Sequence, residues 1–314
     1  MLFPNQGKLE ADNQSVLNIK QFGVDLKQLF GTTKPVIGVV HLLPLPTSPR
    51  WAGNLGEVVA RAEQEATALA AGGVHGIMFE NFFDAPFTKG RVDPAVVSAM
   101  SLVVKHIIPM VHVPVGVNVL RNDGYSALAI AACTGASFVR VNVLTGVMAT
   151  DQGIIEGEAH QLLRYRRELG KDIKILADVL VKHARPLSVA NLSLAIADTV
   201  ERGLADGIVF SGEATGHAPS PEQLAEAIAA CGRVPLFIGS GASWENISQL
   251  IPYADGVIVA SSLKRHGQIE QPIDPLRVSR FVEMVNLSLD LSRADAGHNL
   301  ERWVEEVRSN PVPL

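Results

Sequence analysis

Two loops decide the fold: Ile238-Gly-Ser-Gly-Ala-Ser243 and, one strand later, Val259-Ala-Ser-Ser-Leu-Lys264. Each follows a short β-branched run that is typical of a strand. In a parallel (β/α)8 barrel, the loops after strands seven and eight commonly hold a phosphate with backbone N–H groups at the start of a helix. Glycine suits such a loop because a residue without Cβ lets the backbone approach an anion closely. The two loops therefore predict a phosphate-type pocket in an α/β barrel.

The rest of the chain agrees with a barrel, because short strands alternate with helices. Apolar, Val- and Ile-rich segments without strict alternation are typical of strands buried on both faces of a parallel sheet. Ala-, Leu- and Glu-rich stretches lie between them and predict helices, as a (β/α)8 TIM barrel requires. The eight predicted strands are Val36–Val40, Val74–Phe79, Val115–Val119, Phe138–Val143, Ile173–Val179, Gly207–Phe210, Pro235–Ile238 and Gly256–Ala260.

Helix start signals support this alternation. Asp93-Pro94 and Asp274-Pro275 each place a capping residue before a proline suited to the first turn, and Ser220-Pro-Glu-Gln223 adds a capping box. A doubly wound open sheet is the alternative, but it needs a Gly-rich turn after its first strand. Here the first strand leads into His41-Leu-Leu-Pro-Leu-Pro-Thr-Ser-Pro49 instead.

Three regions are expected along the 314 residues. Residues 1–33 form a leader with a helix such as Ile19–Phe30 that closes the bottom of the barrel. Residues 34–290 form the barrel, and residues 291–314 form a tail with a short amphipathic helix over Leu300–Val307. Frayed ends are the plain alternative for both termini, and oligomer contacts are the functional one. We expect a homo-oligomer.

Composition excludes several classes of protein. The chain has 27 basic and 32 acidic residues, a net charge of −5, and no basic run, so we expect no nucleic-acid partner. No apolar stretch has the length of a bilayer span, and no signal peptide precedes the barrel, so membrane association is peripheral at most. Cys133 and Cys231 lie in Ala-rich helical stretches where cysteine usually acts as a small buried hydrophobe. We therefore expect a reducing, cytoplasmic location.

Candidate site residues come from the carboxyl ends of the strands, where barrel enzymes place their chemistry. Glu80 and Asp178 are the candidate catalytic groups, available as acid or base. The expected contacts to the substrate are His41, Asn118, Arg140, Asn142 and His183. Arg140 and Asn142 lie two residues apart, so both should point into the barrel while Val139, Val141 and Val143 point outward. In a purely structural alternative, Arg140 pairs with Glu80 or Asp178 and fills the lumen.

The phosphate is assigned to the late loops. Its expected contacts are Gly212, Gly239, Ser240, Gly241, Ser261 and Ser262, with Lys264 adding one positive charge. The alternative is a plain connecting turn in which Ser243 caps a helix over Trp244–Leu250. Residues 144–158 form a long, glycine-containing loop that is a plausible lid. His217 lies in another loop that we expect to cover the pocket. Histidine spacing typical of a metal site is absent, so we expect no metal or other cofactor. The alternative is a catalytic metal with Glu80 and Asp178 as carboxylate ligands.

Several blocks resemble the BtpA/SgcQ family. They are Val36-Ile-Gly-Val-Val-His-Leu-Leu-Pro-Leu-Pro46, Glu80-Asn-Phe-Phe-Asp-Ala-Pro-Phe87, Val117-Asn-Val-Leu-Arg-Asn-Asp123, Phe138-Val-Arg-Val-Asn-Val143 and Leu176-Ala-Asp-Val179, together with the two late loops. The similarity covers roughly residues 30–290. Thr145-Gly-Val-Met-Ala-Thr-Asp-Gln152 and Val181-Lys-His-Ala-Arg-Pro186 look most like the cyanobacterial members.

This resemblance implies a ribulose-phosphate-binding barrel. It also implies a link to the biogenesis or stability of photosystem I, at the cytoplasmic face of the thylakoid membrane, with photosystem I or its assembly proteins as partners. Members outside photosynthetic organisms look like enzymes of phosphorylated sugars or nucleosides. Two hypotheses stay open: a photosystem I biogenesis factor on a phosphate-binding barrel, or a lyase, isomerase or hydrolase of a phosphorylated sugar, nucleoside or isoprenoid. The family supplies no settled catalytic residues.

Overall fold

The computed structural model describes residues 23–188, 190–212 and 218–295. Strands and helices alternate through these ranges. In chain order they are α1 (Leu26–Phe30), β1 (Val36–His41), α2 (Leu55–Ala71), β2 (Gly76–Glu80), α3 (Pro94–Ile107), β3 (Val115–Asn118), α4 (Gly124–Thr134), β4 (Phe138–Val141), β5 (Val147–Thr150), β6 (Gly153–Glu156), α5 (Ala159–Leu169), β7 (Lys174–Val179), β8 (Ala184–Pro186), α6 (Leu192–Ala197), β9 (Gly207–Phe210), α7 (Pro221–Cys231), β10 (Leu236–Ile238), α8 (Ile247–Leu250), β11 (Gly256–Val259) and α9 (Pro275–Asp295).

Eight of the strands close into a parallel barrel in the order β1-β11-β10-β9-β7-β4-β3-β2. Each neighbouring pair is parallel, including the closing pair of β1 and β11. The prediction of a (β/α)8 barrel is therefore confirmed. Every predicted strand corresponds to one of these eight, with ends that differ by at most two residues.

The two faces of each strand have different partners. Outward residues such as Val36, Val40 and Val139 pack against the surrounding helices in the main core. Inward residues, at the alternating positions of the same strands, form a separate apolar layer inside the barrel, which contains Ile37, Val39, Met78, Phe138, Leu176, Val209, Phe237 and Ile258. This alternation follows from the period of two along a strand. It fixes which residues of the next layer face the lumen.

The amino end of the barrel is closed by α1. Asp25 caps this short helix by accepting a hydrogen bond from the backbone N–H of Gln28. Phe30 is buried in the inner layer, with its ring centroid 5.6 Å from that of Phe138 and 6.5 Å from that of Phe237. Solvent therefore reaches the lumen from the carboxyl end of the strands.

The predicted lid loop is wrong in one respect: residues 144–158 contain a β-hairpin. β5 pairs antiparallel with β6 and with β8, giving a small three-stranded sheet beside the barrel. Its Met148 and Ile155 pack on Val143 and Val181, which follow β4 and β7. The hairpin therefore covers the carboxyl ends of these two barrel strands.

The helix start signals have mixed outcomes. Asp93 caps α3 before Pro94, and Ser220 and Gln223 form the expected capping box of α7. The alternative that Ser243 caps a helix from Trp244 is wrong, because α8 begins only at Ile247.

Cys133 is exposed rather than buried. In the part of the chain that the structure describes, no helix has both the length and the apolar character needed to cross a bilayer.

Candidate functional site

A layer of mostly polar side chains lies directly above the apolar layer of the lumen. Each barrel strand contributes the residue two positions after its apolar one, at the carboxyl end. This layer consists of His41, Glu80, Asn118, Arg140, Asp178, Ser211, Gly239 and Ala260. Strand register places the first four in one row, because His41 is paired with Glu80, Glu80 with Asn118, and Asn118 with Arg140.

Arg140 and Asp178 form the centre of this layer. The guanidinium donates from Nε to Asp178 Oδ2 at 2.8 Å and from Nη2 to Oδ1 at 2.7 Å. Both side chains are buried, and the amide of Asn142 donates to the same carboxylate at 3.1 Å. Burial lowers the pKa of Arg140, but the charge and hydrogen bonds of Asp178 outweigh it and raise that pKa. The ion pair of the structural alternative thus exists, and it engages Asp178.

Asn118 supports this pair from the neighbouring strand. Its amide nitrogen donates to the carbonyl of Arg140 at 2.9 Å and to Asn142 Oδ1 at 3.1 Å. Its own oxygen is buried and has no hydrogen-bond partner among the described residues. A buried acceptor without a donor is costly, so this atom is available to a ligand hydroxyl or amine.

Glu80 differs from Asp178 because no described residue binds its carboxyl group. Among the described residues, it accepts no hydrogen bond and forms no ion pair, although it is buried at the end of β2. Burial raises the pKa of Glu80, and the positive charge of Arg140 opposes that rise. A buried carboxyl group with a raised pKa can act as a proton donor or acceptor. Glu80 is therefore the better candidate acid or base of the two predicted carboxylates.

His41 ends β1 and faces the same pocket. Its ring stacks on Phe82 with 4.5 Å between centroids, and Nδ1 is buried without a partner in the described chain. Burial, followed by the charges of Lys264 and Arg140, lowers the pKa of His41 to about 3. The imidazole is therefore neutral at physiological pH and can offer a hydrogen bond without a charge.

Two cations at the rim had no assigned role in the sequence analysis. Arg121 follows β3 and is buried, and its Nη2 donates to the carbonyl of Lys182 at 2.6 Å. Lys182 follows β7, next to the predicted ligand His183, which is exposed with a φ of 56°. Burial, then Arg121 and Lys182, lower the pKa of His183. The sequence signal for Arg121 and Lys182 was their position shortly after the ends of β3 and β7.

The predicted phosphate loops lie on the other side of the mouth. Gly239 faces the lumen, where a Cβ would lie 2.6 Å from Ser211 Oγ and 3.3 Å from Arg140 Nη2. Gly241 has a φ of 78°, and its carbonyl accepts a hydrogen bond from Asn246 at 2.9 Å. The hydroxyl groups of Ser211 and Ser240 are buried without partners among the described residues.

The remaining phosphate candidates are placed differently from one another. Gly212 is buried directly after Ser211, and Ser261 is exposed in a 3-10 turn after β11. The hydroxyl of Ser262 donates to the carbonyl of Ala242 at 2.9 Å and so joins the two loops. The predicted pocket residue His217 lies outside the described residues.

The expectation that Lys264 charges the phosphate site is wrong. Its side chain is fully buried against α2, where Nζ lies 3.0 and 3.2 Å from the two carboxylate oxygens of Glu65. Arg61 binds the same carboxylate at 2.7 Å. Lys264 therefore belongs to a structural ion pair. The positive charge at the mouth comes from Arg121, Arg140 and Lys182, which lie on or after β3, β4 and β7.

The described residues contain no group of three or more His, Cys, Asp or Glu side chains placed to hold a metal ion. The arrangement combines a neutral imidazole, an unpaired carboxyl group, a fixed ion pair and unpartnered hydroxyl and amide groups. It suits a small polar ligand with negative charge, and it offers Glu80 for proton transfer.

Comparisons with known proteins agree with this architecture. A family model described as "BtpA family" matches residues 32–287. The photosystem I biogenesis protein BtpA of Synechocystis is 69% identical over 260 residues, which are 83% of this chain and 91% of that protein. An uncharacterized protein of Thermococcus kodakarensis is 46% identical over 80% of this chain and 95% of its own length. An uncharacterized mitochondrial protein of Caenorhabditis elegans is 30% identical over 84% and 97%.

Among solved structures, one described as native KDPGal superimposes with a TM-score of 0.51 at 14% identity, covering 83% of this chain and 99% of that one. At this identity the likeness supports the barrel fold alone.

Proposed function

The chain belongs to the BtpA family, and on that premise we propose that it is a photosystem I biogenesis factor whose barrel mouth binds a phosphorylated small molecule. The observation that carries the first half is the 69% identity to the Synechocystis biogenesis protein over most of both chains. Identity at this level, across the whole barrel, makes a shared role the simplest expectation.

The second half rests on the loops after β9, β10 and β11. Ser211 and Ser240 hold buried hydroxyl groups without partners in the described chain, and Gly241 has a positive φ, which glycine adopts without strain. Buried polar groups usually have hydrogen-bond partners. Buried hydroxyl groups without partners in these loops therefore favour a polar ligand there. Phosphate fits because hydroxyl and backbone N–H donors both suit its oxygens.

An enzyme is the second candidate, and Glu80 favours it. A regulatory pocket has no need of an unpaired buried carboxyl group, whereas a general acid or base requires one with a raised pKa. The relationship to a protein of a nematode, which does not photosynthesise, points in the same direction. In this reading the protein transforms a phosphorylated sugar, nucleoside or isoprenoid, and its effect on photosystem I is indirect.

The location and partners belong to the same proposal. The chain acts in the cytoplasm, at the outer face of the thylakoid membrane, in contact with photosystem I or its assembly proteins and as a homo-oligomer. A net charge of −5 disfavours direct binding to anionic lipid, so a protein surface is the better docking partner.

The test is to supply this chain to a Synechocystis strain that lacks its own BtpA, and to measure photosystem I per cell from the absorbance of its reaction centre. We expect the wild-type chain to restore the photosystem. Failure of a well-expressed chain to do so would remove the proposed role.

Two matched variants then test the phosphate site. Gly241→Asp puts a negative side chain into the loop, and Gly241→Asn puts a neutral one of the same shape there. Asn and Asp tolerate positive φ better than other side chains, so both loops should keep their form. We expect only the aspartate variant to lose photosystem I. Equal recovery in both would show that no anion is needed. Recovery with Glu80→Gln would remove the enzyme alternative.

A further inference from the structure

We propose that the mouth contains a second anionic subsite, formed by Arg121 and Lys182 opposite the serine and glycine loops, and that the ligand carries two acidic groups. This inference rests on the proposed phosphate binding and adds the class of ligand: a bisphosphate, or a phosphate that also bears a carboxylate.

The first reason is that Arg121 is buried without a carboxylate partner. Only 8% of the residue is exposed, yet its one side-chain hydrogen bond to a described residue goes to the carbonyl of Lys182 at 2.6 Å. The described residues place no carboxylate within ion-pair distance of it. A buried guanidinium without an anion is unfavourable by several kcal/mol, of the order given for unpaired buried ions. An anionic ligand group removes that cost.

The second reason is that Lys182, which is half-buried beside Arg121, also has no carboxylate partner among the described residues. Its carbonyl binds Arg121, and the described residues offer its ammonium group neither a hydrogen bond nor an ion pair. Burial and the charge of Arg140 lower the pKa of Lys182. Two like charges thus meet beyond the ends of β3 and β7, the strands on either side of β4, and an anion stabilises such an arrangement.

The third reason is that nearby carboxylates do not balance these charges. Asp178 is already bound by Arg140 and Asn142. Burial raises the pKa of Glu80, which favours its neutral form. Asp151, on the turn between β5 and β6, is exposed and makes no ion pair with Arg121. The described part of this side therefore keeps an excess of positive charge.

The fourth reason is the strand order of the barrel. β3, β4 and β7 are neighbours on one side, and β9, β10 and β11 are neighbours on the other. Arg121 and Lys182 follow β3 and β7, whereas Ser211, Ser240 and Ser261 follow the opposite three strands. A ligand that satisfies both sides needs an acidic group at each end. Its middle then lies above Arg140, next to Glu80 and the unpartnered oxygen of Asn118.

The experiment uses pairs of probes that differ by one acidic group: glycerol 3-phosphate against 3-phosphoglycerate, and ribose 5-phosphate against ribose 1,5-bisphosphate. Binding to the purified full chain is measured by calorimetry. Charge-assisted hydrogen bonds contribute about 1.5–3 kcal/mol, so we expect the diacidic probe of at least one pair to bind roughly 10- to 100-fold more tightly.

Lys182→Met is the test variant, because its backbone carbonyl still holds Arg121. We expect it to lose the preference for the diacidic probe and to keep the affinity for the monophosphate. Arg185→Gln, an exposed cation on the adjoining β8, is the matched control and should change neither.

The outcomes separate the two proposals. If the monophosphates bind but the diacidic probes bind no better, or if Lys182→Met keeps the preference, the second subsite is wrong and the phosphate site stands. If neither member of either pair binds, the proposed phosphate site fails and the subsite fails with it.

A ligand-free measurement adds an independent check. An uncompensated Lys182 predicts that Lys182→Met unfolds at a higher temperature than wild type, whereas a stabilising ion pair predicts a lower one.

Discussion

Glu65→Gln tests the finding that Lys264 is a structural residue rather than a phosphate ligand. Both side chains are fully buried, and Nζ lies 3.0 and 3.2 Å from the carboxylate oxygens. Glutamine keeps the shape of Glu65 but removes the charge, so Lys264 becomes a buried cation without a counter-ion. Removing one partner of a buried ion pair typically costs about 3–5 kcal/mol. For a domain of this size that corresponds to a fall in Tm of roughly 6–20 °C.

Thermal unfolding followed by circular dichroism measures this effect, and Glu63→Gln is the matched control. Glu63 lies on the same helix, but its contact with His106, at 3.0 Å, is exposed. Exposed pairs contribute at most about 1 kcal/mol, so the control should unfold close to wild type. The double variant Glu65→Leu with Lys264→Met removes both charges and should recover most of the lost stability.

The direction in which the stability of Glu65→Gln changes with pH is a further part of this test. Burial lowers the pKa of Lys264, while Glu65 opposes that shift. Without Glu65, the folded-state pKa of Lys264 falls further below its unfolded value of about 10.4. The unfolded chain then binds more protons, so the stability of Glu65→Gln should rise with pH through this window. A Glu65→Gln protein that melts within about 2 °C of wild type would refute the reasoning.

Three further predictions follow from the lumen. Glu80→Gln should be more stable than wild type at neutral pH without ligand. Wild type loses stability as pH rises from the unfolded pKa of Glu80, about 4.3, to its raised folded pKa, and calorimetric unfolding of Glu80→Gln should show no such loss. Asp178→Asn should cost about 3–5 kcal/mol in chemical denaturation, because it leaves Arg140 buried and unpaired; a loss below about 1 kcal/mol would contradict the ion pair. The NMR signals of the His41 ring should not titrate between about pH 5 and 8, since its pKa is about 3; a midpoint near 6.5 would contradict its burial.

The sequence predicted the barrel because its signals are local and repeated. Buried strands carry short β-branched runs, and the spacing of polar residues by two, as in Arg140 and Asn142, correctly assigned them to the lumen. Val139 and Val141 pack outward as expected. The hairpin was missed because β5 and β6 are each four residues long and one of them contains no alternating pattern.

The direction of side chains after a strand ends was harder to predict. Lys264 sits one turn beyond β11, where the chain has already bent away from the mouth, so proximity in sequence to Ser261 misled the assignment. A signal was available in α2. Glu65 lies among Val58, Ala62 and Leu69 on the buried face of that helix, and a carboxylate in such a stripe requires a buried cation. The sequence did not show whether Arg140 pairs with Asp178 or with Glu80, because that choice depends on the three-dimensional positions of the side chains.

The measurement that tests the central claim most directly is thermal unfolding of the purified chain with inorganic phosphate, phosphorylated sugars, nucleotides and isoprenoid phosphates. A ligand at a hundred times its Kd adds about 2.7 kcal/mol, which should raise the Tm by roughly 5–10 °C. The account predicts such a rise for at least one of these compounds, its loss in Gly241→Asp and its survival in Gly241→Asn. No rise with any compound, or an equal rise in both variants, would contradict a phosphate site at the mouth of the barrel.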